Sequence, residues 1–185
     1  MGNEFKTLTH QLKYKNPWME VYEDTFLRPS GNQGIYGVVE KKEFSLIIPA
    51  DFEKQIVYMV EQYRYPLKER TLEFPQGMTE AEDASYLESA RRELQEETGL
   101  FAQNIRELGT IFSAVGFSNQ KGHVFLATNL SETKRHLDLE EEDLVCRAVS
   151  FSELYDLIKN NSIKDAGTLA AVTLLQTVHS LVQPG

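Results

Sequence analysis

The chain has little cysteine and a shortage of positive charge. Its 185 residues include one cysteine, Cys146. A single thiol excludes an internal disulfide and a cysteine metal cluster, so we interpret Cys146 as a small packed residue of a strand. Lys and Arg number 19 against 28 Asp and Glu, a formal net charge of -9. Because nucleic-acid binding depends on Lys and Arg that neutralise phosphates, this balance disfavours DNA or RNA as the main partner.

The chain also lacks a long apolar segment. It has no run of eighteen or more apolar residues, and its start has neither the apolar core nor the cleavage site of a signal peptide. We therefore expect a cytoplasmic protein with no membrane partner. Hydrophobic residues make up 41% and charged residues 25% of the chain, an ordinary globular composition. The length suits one well-cored domain, so we predict a single domain over residues 1–185.

The first third of the chain has the pattern of short strands separated by turn residues. We predict strands over Leu8–Tyr14, Met19–Leu27, Gly34–Val39, Phe44–Ile48 and Gln55–Glu61. Turn signals lie between them at Asn16-Pro17, Pro29-Ser30-Gly31 and Pro49-Ala50-Asp51. Aromatic residues in such segments pack more often than they bind ligands, so we place Trp18 and Phe26 in the core.

The rest of the chain alternates between strands and helices. We predict strands over Arg70–Phe74, Ile105–Phe112, His123–Thr128 and Leu144–Val149, and helices over Ala84–Glu97, Ser152–Asn160 and Asp165–Val182. A turn at Pro75-Gln76-Gly77 follows the first of these strands. Because the alternation is not strictly βαβ, we expect an α+β fold in which helices cover both faces of a mixed sheet.

Three carboxylates lie close together in the first helix. Glu93, Glu96 and Glu97 are three or four residues apart, so a helix presents them as one cluster. Like charges at this spacing repel, and negative charge near a helix C-terminus opposes the helix dipole. A hard divalent cation would relieve the repulsion. The alternative interpretation is a solvated acidic helix face.

The segment from Gly77 to Leu100 resembles the Nudix box, G-x5-E-x7-R-E-U-x-E-E-x-G-U, in which U is apolar. Arg92 to Leu100 matches every specified position of the second half. Counting back from Arg92 places the family glutamate at Ala84, so the loop after Gly77 has one extra residue. Asp83 or Glu82 takes the place of that glutamate, which in the family braces the loop by pairing with the arginine.

Other segments resemble the ADP-ribose pyrophosphatase branch of that family. They are Glu61–Pro66, Leu72–Gly77, Gly116–Ser118 and Ile163–Ala171. The resemblance implies the Nudix fold, an α/β/α sandwich around a mixed sheet with an additional N-terminal antiparallel sheet. It divides the chain into an N-terminal β region, about 1–40, and a Nudix core, 41–185. Dimers are usual in this branch, so we expect a homodimer in which N-terminal strands help to form the partner's substrate pocket, with Ile35–Val39 and Leu46–Ile48 offering an apolar face.

The resemblance also implies a metal site. Cleavage of a pyrophosphate gathers negative charge, which Mg²⁺ screens while acidifying the attacking water. Mn²⁺ is expected to substitute for Mg²⁺. The implied ligands are the side chains of Glu93, Glu96 and Glu97 and the backbone carbonyl of Gln76. This requires the Pro75–Gly77 turn to lie against the glutamate face of the helix.

A further glutamate, on a loop distant in sequence, orients the attacking water in the family branch. The acidic run Asp138–Asp143 offers such residues here, and we favour Glu142 and Glu140, with Glu96 as a further catalytic candidate. The alternative is that this run is only solvated charge.

Five residues are candidates for substrate binding. Arg64 and Arg70 suit phosphates, because a guanidinium presents a fork that matches phosphate oxygens. Glu73 and Gly77 flank the implied metal site, and Tyr36 could stack on a base. The alternative for the two arginines is a strand-end ion pair with Glu61 or Glu73.

The function implied is Mg²⁺-dependent hydrolysis of a nucleoside diphosphate sugar into a nucleoside monophosphate and a sugar phosphate. Val115 replaces a proline common in ADP-ribose enzymes, and Ser118-Asn119-Gln120 departs from their acidic pattern. A GDP- or UDP-hexose is therefore an alternative to ADP-ribose. The rival hypothesis is a catalytically silent Nudix domain that senses a nucleotide sugar.

Overall fold

The computed structural model describes residues 4–135 and 143–180. The chain forms two compact units. Unit 1 comprises Met1–Glu43 and Phe112–Lys121, and unit 2 comprises Phe44–Ile111 and Gly122–Gly185. None of the described helices is long and apolar enough to span a bilayer.

Unit 1 contains a three-stranded antiparallel sheet. Its strands are β1 (Lys6–Asn16), β2 (Met19–Leu27) and β3 (Gln33–Glu40), in the order β1-β2-β3. The Asn16 side chain accepts hydrogen bonds from the backbone N–H groups of Trp18 and Met19, at 2.9 and 2.8 Å, which fixes the first turn. Phe26 is buried as expected, but the core assignment of Trp18 is wrong. Trp18 lies in the turn and is 47% exposed, because a two-residue turn projects its side chains to solvent.

Unit 2 is built on a mixed sheet of seven strands. They are β4 (Phe44–Asp51), β5 (Ile56–Arg64), β6 (Glu69–Glu73), β7 (Gln76–Met78), β8 (Leu100–Phe112), β9 (Lys121–Glu132) and β10 (Val145–Ser150). The main order is β10-β5-β4-β9-β8, with β6 on β5 and β7 on β4. Strands β4 and β9 pair in parallel, whereas β4 pairs antiparallel with β5 and β7.

In the described part of the chain, three helices cover the two faces of this sheet. They are α1 (Tyr86–Thr98), α2 (Phe151–Lys159) and α3 (Ala166–Ser180). Successive strand residues point to opposite faces, so Leu46 and Ile48 of β4 pack in the cluster that contains α2 and α3 residues, and Ile47 packs in the cluster that contains α1 residues. The α/β/α sandwich with an additional antiparallel sheet is confirmed. The expectation of an exposed Leu46–Ile48 face is wrong, because all three side chains are fully buried.

Two predicted turns lie within strands. Pro49 and Ala50 belong to β4, opposite Ala127 of β9 and Val57 of β5, and the chain turns only after Asp51. The Asp51 carboxylate accepts hydrogen bonds from the backbone N–H groups of Glu53 and Lys54, at 3.1 and 3.0 Å, and these bonds stabilise the turn. Gln76–Met78 forms the short strand β7, since β4 supplies the antiparallel neighbour that sequence alone does not show.

Strand β8 begins at Leu100, five residues before its predicted start at Ile105. Phe101, Gln103 and Asn104 are exposed, whereas Leu100 and Ala102 are buried against α1. The strand signal of this stretch is weak because its alternation depends on only two apolar residues.

Candidate active site

Helix α1 places two glutamates in buried positions. Its N-cap, Ser85, accepts a hydrogen bond from the Glu88 N–H at 3.2 Å, and its C-cap, Gly99, has the left-handed conformation at φ 69° that glycine tolerates. Ala90 and Leu94 pack into the core, which sets the rotation of the helix. That rotation leaves Glu93 5% and Glu97 0% exposed. Because burial of carboxylates is costly unless they have partners, the contacts of these two residues are structurally important.

Strand β7 lies directly against this carboxylate face. The backbone N–H of Gln76 donates to Glu97 Oε2 at 3.1 Å. A Cβ atom added at Gly77 would overlap the Glu93 carboxylate. The predicted contact between the Pro75–Gly77 segment and the glutamate face is therefore present, with β7 in place of a turn. Only glycine lets the strand backbone approach Glu93 this closely.

Arg92 binds the acidic residues around it. Its Nη1 donates to Glu93 Oε1 and to Glu96 Oε2, both at 2.8 Å. Its Nη2 donates to the backbone carbonyl of Met78 at 3.1 Å. One guanidinium thus joins two α1 carboxylates to the end of β7, and it relieves the like-charge repulsion along the helix.

Asp83 takes the place of the missing box glutamate. Arg92 Nε and Nη2 donate to the two Asp83 carboxylate oxygens, at 3.2 and 3.0 Å. Asp83 also accepts the Glu80 N–H at 2.9 Å, which closes the loop before α1. The hydrogen bond from Arg92 holds the pKa of Asp83 below its usual value despite partial burial. Glu82, the other candidate, is exposed.

We expect Asp83→Asn to lower the free energy of unfolding at pH 7 by about 1–3 kcal/mol, the usual cost of losing a hydrogen bond to a charged group. The folded-state pKa of Asp83 lies below the unfolded value. Its stabilisation is therefore complete above about pH 4 and is lost as the pH falls through the folded-state pKa. Urea unfolding at pH 7 and at pH 3 measures this, and the difference between wild type and variant should shrink at pH 3.

The matched control for Asp83 is Glu82→Gln, which removes the same charge one residue away. It should change the free energy of unfolding by less than about 0.5 kcal/mol, as for most surface substitutions. Equal effects of the two substitutions would contradict the assignment of Asp83 as the loop brace.

The two candidate arginines form ion pairs between β5 and β6. Arg64 donates hydrogen bonds to the Glu73 carboxylate through both Nε, at 2.9 Å, and Nη2. Arg70 Nε donates to Glu61 Oε1 at 2.9 Å, and its Nη1 donates to Asp143 Oδ2 at 2.7 Å. The strand-end ion pairs of the alternative interpretation are therefore present. A guanidinium has five N–H donors, so Arg64 keeps donors that its pair with Glu73 does not use. Arg70 also donates through Nη2 to the backbone carbonyls of Glu61 and Asp143, at 3.0 and 2.9 Å, which leaves it one N–H. Phosphate binding by both residues stays a prediction.

Glu73 is nearly fully buried, at 2% exposed. Burial by itself raises the pKa of a carboxyl, but the hydrogen bonds and the charge of Arg64 outweigh it, so the pKa of Glu73 lies below its usual value. The same pairing with Glu73 raises the pKa of Arg64. The Glu73 end of this pair lies beside β7, because Gln76 Nε2 donates to Glu73 Oε2 at 2.7 Å.

The remaining candidates lie elsewhere or outside the description. Tyr36 belongs to unit 1, where its hydroxyl donates to the Gly116 carbonyl at 2.7 Å. Glu140 and Glu142 lie outside the described residues. The predicted roles of these three residues stay predictions.

The donor set of α1 and β7 suits a hard divalent cation. Glu93, Glu96 and Glu97 supply carboxylate oxygens, and the Gly77 backbone comes within contact distance of Glu93. In residues 4–135 and 143–180, no group of three or more His, Cys, Asp and Glu side chains is gathered tightly enough to hold a metal ion as it stands. Arg92 holds two of the carboxylates instead. A carboxylate has about four acceptor positions, so this contact leaves it able to bind a cation as well.

Sequence reasoning missed one residue that supports the site. Thr168, fully buried, accepts the Phe74 N–H through its Oγ1 at 3.0 Å and so ties the strand segment before β7 to α3. Asp165 caps α3 by accepting the Thr168 N–H at 2.7 Å. The spacing of Asp165 and Thr168 is a recognisable helix-cap signal, but the partner strand could not be read from it.

His123 is buried and packs against the start of α1. Its ring stacks on Tyr86 with centroids 3.7 Å apart, and its Nδ1 lies 3.0 Å from Glu107 Oε1. It therefore supports the start of α1.

Comparison with known proteins identifies the family. The NUDIX domain model matches residues 40–172, and the model of the nucleoside diphosphate sugar hydrolase N-terminal domain matches residues 5–39. The chain is 30% identical over 181 residues to an ADP-ribose pyrophosphatase of Bacillus subtilis (strain 168), covering 96% of each protein. It is 29% identical over 184 residues to a methanol dehydrogenase activator of Bacillus methanolicus, covering 98% of each.

A solved structure agrees on the fold. The crystal structure of an ADP compounds hydrolase matches with a TM-score of 0.82 at 19% identity, over 94% of this chain and 93% of that one. The predicted family and enzyme class, a Nudix pyrophosphohydrolase, are confirmed. The chain therefore belongs to the Nudix family, with the N-terminal domain of nucleoside diphosphate sugar hydrolases preceding its Nudix domain.

Proposed function

We propose that the protein hydrolyses the pyrophosphate bond of a nucleoside diphosphate sugar with Mg²⁺ as cofactor. The products are a nucleoside monophosphate and a sugar phosphate. One observation carries the proposal: the buried Glu93 and Glu97 of α1 lie against the glycine-bearing strand β7. Two carboxylates that are buried beside the backbone of a glycine present oxygen ligands to a cation.

The residues that would hold Mg²⁺, or Mn²⁺ in its place, are Glu93, Glu96, Glu97 and Gln76 through its backbone carbonyl. When bound, the divalent ion screens the charge of the diphosphate and acidifies the attacking water. Arg92 keeps Glu93 and Glu96 together on one face. The Gln76 N–H orients Glu97 through Oε2.

Substrate phosphates would bind near Arg64, whose side chain is 36% exposed although its inner edge is held by Glu73. Gly77, whose backbone lies against the Glu93 carboxylate, is a further candidate for contact with the diphosphate. Arg70 and Tyr36 are further candidates, for the phosphates or terminal ribose and for the base. Glu96, on the same face as the metal-ligand candidates, and Glu140 and Glu142, which lie outside the described residues, are the candidates that orient the attacking water, a role that suits a carboxylate.

The relatives support this substrate class. One is named for the hydrolysis of ADP-ribose, and the model that matches residues 5–39 is named for nucleoside diphosphate sugar hydrolases. ADP-ribose is therefore the first substrate to test, and GDP- and UDP-hexoses are the alternatives.

We also propose that the protein acts as a homodimer. Unit 1 exposes large apolar side chains that a second copy could cover, namely Phe5, Leu8, Leu12, Tyr14, Trp18 and Ile35. The division into an N-terminal dimerisation element, about 1–40, and a Nudix core, 41–185, within one domain is part of this proposal, as is a cytoplasmic location.

A substrate panel tests the function. The purified protein is incubated with ADP-ribose, GDP-mannose and UDP-glucose, with Mg²⁺ and with excess EDTA, and the products are separated by ion-exchange chromatography. We expect a nucleoside monophosphate and a sugar phosphate in equal amounts with Mg²⁺ and less than about 1% of that rate with EDTA, since the reaction depends on the metal. Release of inorganic phosphate or of the free sugar would contradict the assigned bond.

The same panel separates the rival hypothesis. A nucleotide-sugar sensor would bind one of these compounds, by calorimetry, without hydrolysis under Mg²⁺, Mn²⁺ or any other divalent ion. The rival hypothesis depends on the extra loop residue and on the missing box glutamate, and Asp83 supplies a carboxylate partner for Arg92.

A further inference from the structure

The buried carboxylate of Glu73 has four hydrogen-bond donors around it. Arg64 supplies two, through Nε at 2.9 Å and Nη2, and Thr71 supplies one through its hydroxyl. Gln76 Nε2 supplies the fourth at 2.7 Å. A carboxylate has about four lone-pair sites, so these donors use its acceptor capacity. A direct contact between Glu73 and a substrate hydroxyl would require one of them to leave.

The Gln76 contact connects Glu73 to the metal-ligand face. The side-chain amide of Gln76 donates to Glu73, and its backbone N–H donates to Glu97 Oε2 at 3.1 Å. The opposite end of that amide faces the first turn of α3, where a Cβ at Gly167 would meet Gln76 Oε1 at 3.6 Å. The Gln76 side chain therefore lies between Glu73, to which it donates, and the first turn of α3.

We infer that Glu73 is a positioning residue. Through a series of contacts, Arg64–Glu73–Gln76–Glu97, it fixes the substrate-facing guanidinium of Arg64 and the metal-binding carboxylate of Glu97. We call this series of contacts the Glu73 relay. The inference rests on the proposed function for its substrate half, since that function places Arg64 at the phosphates. It revises the predicted role of Glu73 from substrate binding to orientation of two groups that do bind.

The relay has a chemical reason to require a carboxylate. Three residues present four donor groups to Glu73, so the NH₂ group of a glutamine at this position would face Arg64 in either orientation, together with Thr71 or with Gln76. One contact would become donor against donor. Metal ligands depend on such outer contacts for orientation, and losing one typically weakens metal binding 10- to 100-fold. Misplacement of a catalytic group by about 1 Å costs about a hundredfold in rate.

The test measures binding at both ends of the relay without turnover. Mn²⁺ affinity is determined from the electron paramagnetic resonance signal of free Mn²⁺. Affinity for α,β-methylene ADP-ribose, which cannot be hydrolysed at the pyrophosphate, is determined by calorimetry at saturating Mn²⁺. We expect Glu73→Gln to raise both dissociation constants about tenfold or more.

Two further variants assign the effect to the relay. Gln76→Met keeps the backbone N–H that donates to Glu97 but removes the side-chain amide. It should raise the Mn²⁺ dissociation constant several-fold and leave the dissociation constant of the analogue within about twofold of the wild-type value. The double variant, Glu73→Gln with Gln76→Met, should bind Mn²⁺ no more than about twofold more weakly than Glu73→Gln. The effects of substitutions at consecutive contacts of the relay are not additive. Glu69→Gln is the matched control, since Glu69 is an exposed carboxylate of the same strand that pairs with Lys164 at 3.4 Å.

Unchanged affinities in Glu73→Gln, or multiplication of the two single effects on Mn²⁺ in the double variant, would overturn the relay. Thermal unfolding checks each variant, and if Glu73→Gln does not fold, unchanged Mn²⁺ affinity in Gln76→Met overturns it instead. The Mn²⁺ measurement needs no substrate. A wild-type protein that hydrolyses nothing in the panel therefore refutes the proposed function alone, whereas active wild type with unaffected variants refutes the relay alone.

Discussion

Glu97→Gln is expected to reduce turnover of the preferred nucleoside diphosphate sugar at least about a thousandfold while the protein stays folded. Loss of a contact behind a metal ligand costs 10- to 100-fold, and loss of the ligand charge itself costs more. The fold should survive because glutamine has the same shape and keeps an oxygen that can accept a hydrogen bond from the Gln76 N–H. In the wild-type protein this N–H donates to Glu97 Oε2 at 3.1 Å. At 0% exposed, the side chain is positioned by packing as well as by that bond.

The measurement is the steady-state rate at saturating Mg²⁺, together with the unfolding temperature. Glu88→Gln is the control on the same helix, because its side chain is 52% exposed and pairs with Arg91. The control should keep wild-type turnover within about twofold. If Glu97→Gln turned over substrate at the rate of the control, Glu97 would not be a metal ligand.

Gly77→Ala is expected to lower turnover at least about a hundredfold with only a small loss of stability. The added methyl group would overlap the Glu93 carboxylate. That carboxylate is the far end of a flexible side chain, so it can move without a shift of the backbone, although its contact with Arg92 is then weakened. The group that moves is, however, an implied metal ligand, and displacement of a catalytic group by about 1 Å has an effect of this size.

Gly37→Ala serves as the control for this prediction. A Cβ at Gly37 meets no atom within 4 Å, so the substitution introduces no comparable contact. Rates and unfolding temperatures of the two variants are compared at saturating Mg²⁺, and Mn²⁺ affinity is measured as above. Wild-type Mn²⁺ affinity in Gly77→Ala would contradict the idea that Glu93 must lie against the bare backbone of β7.

The carboxylate face of α1 could be predicted from sequence because it depends on local geometry. Helical periodicity places Glu93 and Glu97 on one side, and Gly99 ends the helix, as the structure has it within about two residues. The approach of β7 was predicted only through the family resemblance. It depends on pairing with β4, some thirty residues away in sequence, and no local pattern specifies such a partner.

Individual side-chain contacts were less accessible from sequence. The box resemblance left Asp83 and Glu82 as equal candidates, and the choice depends on the loop path that directs Asp83 to Arg92. Trp18 is a case in which the prediction was wrong: an aromatic residue in a strand-rich segment indicated burial, but its place in a two-residue turn determines its exposure. Both outcomes are set by backbone direction, which composition does not encode.

The central claim is that divalent ions bind between β7 and the acidic face of α1. The most direct measurement is an anomalous difference map, near the manganese absorption edge, from crystals soaked with MnCl₂ and α,β-methylene ADP-ribose. The account predicts peaks within about 2.5 Å of carboxylate oxygens of Glu93 and Glu97. Density for the bound analogue with manganese peaks only elsewhere, or with none at all, would contradict it.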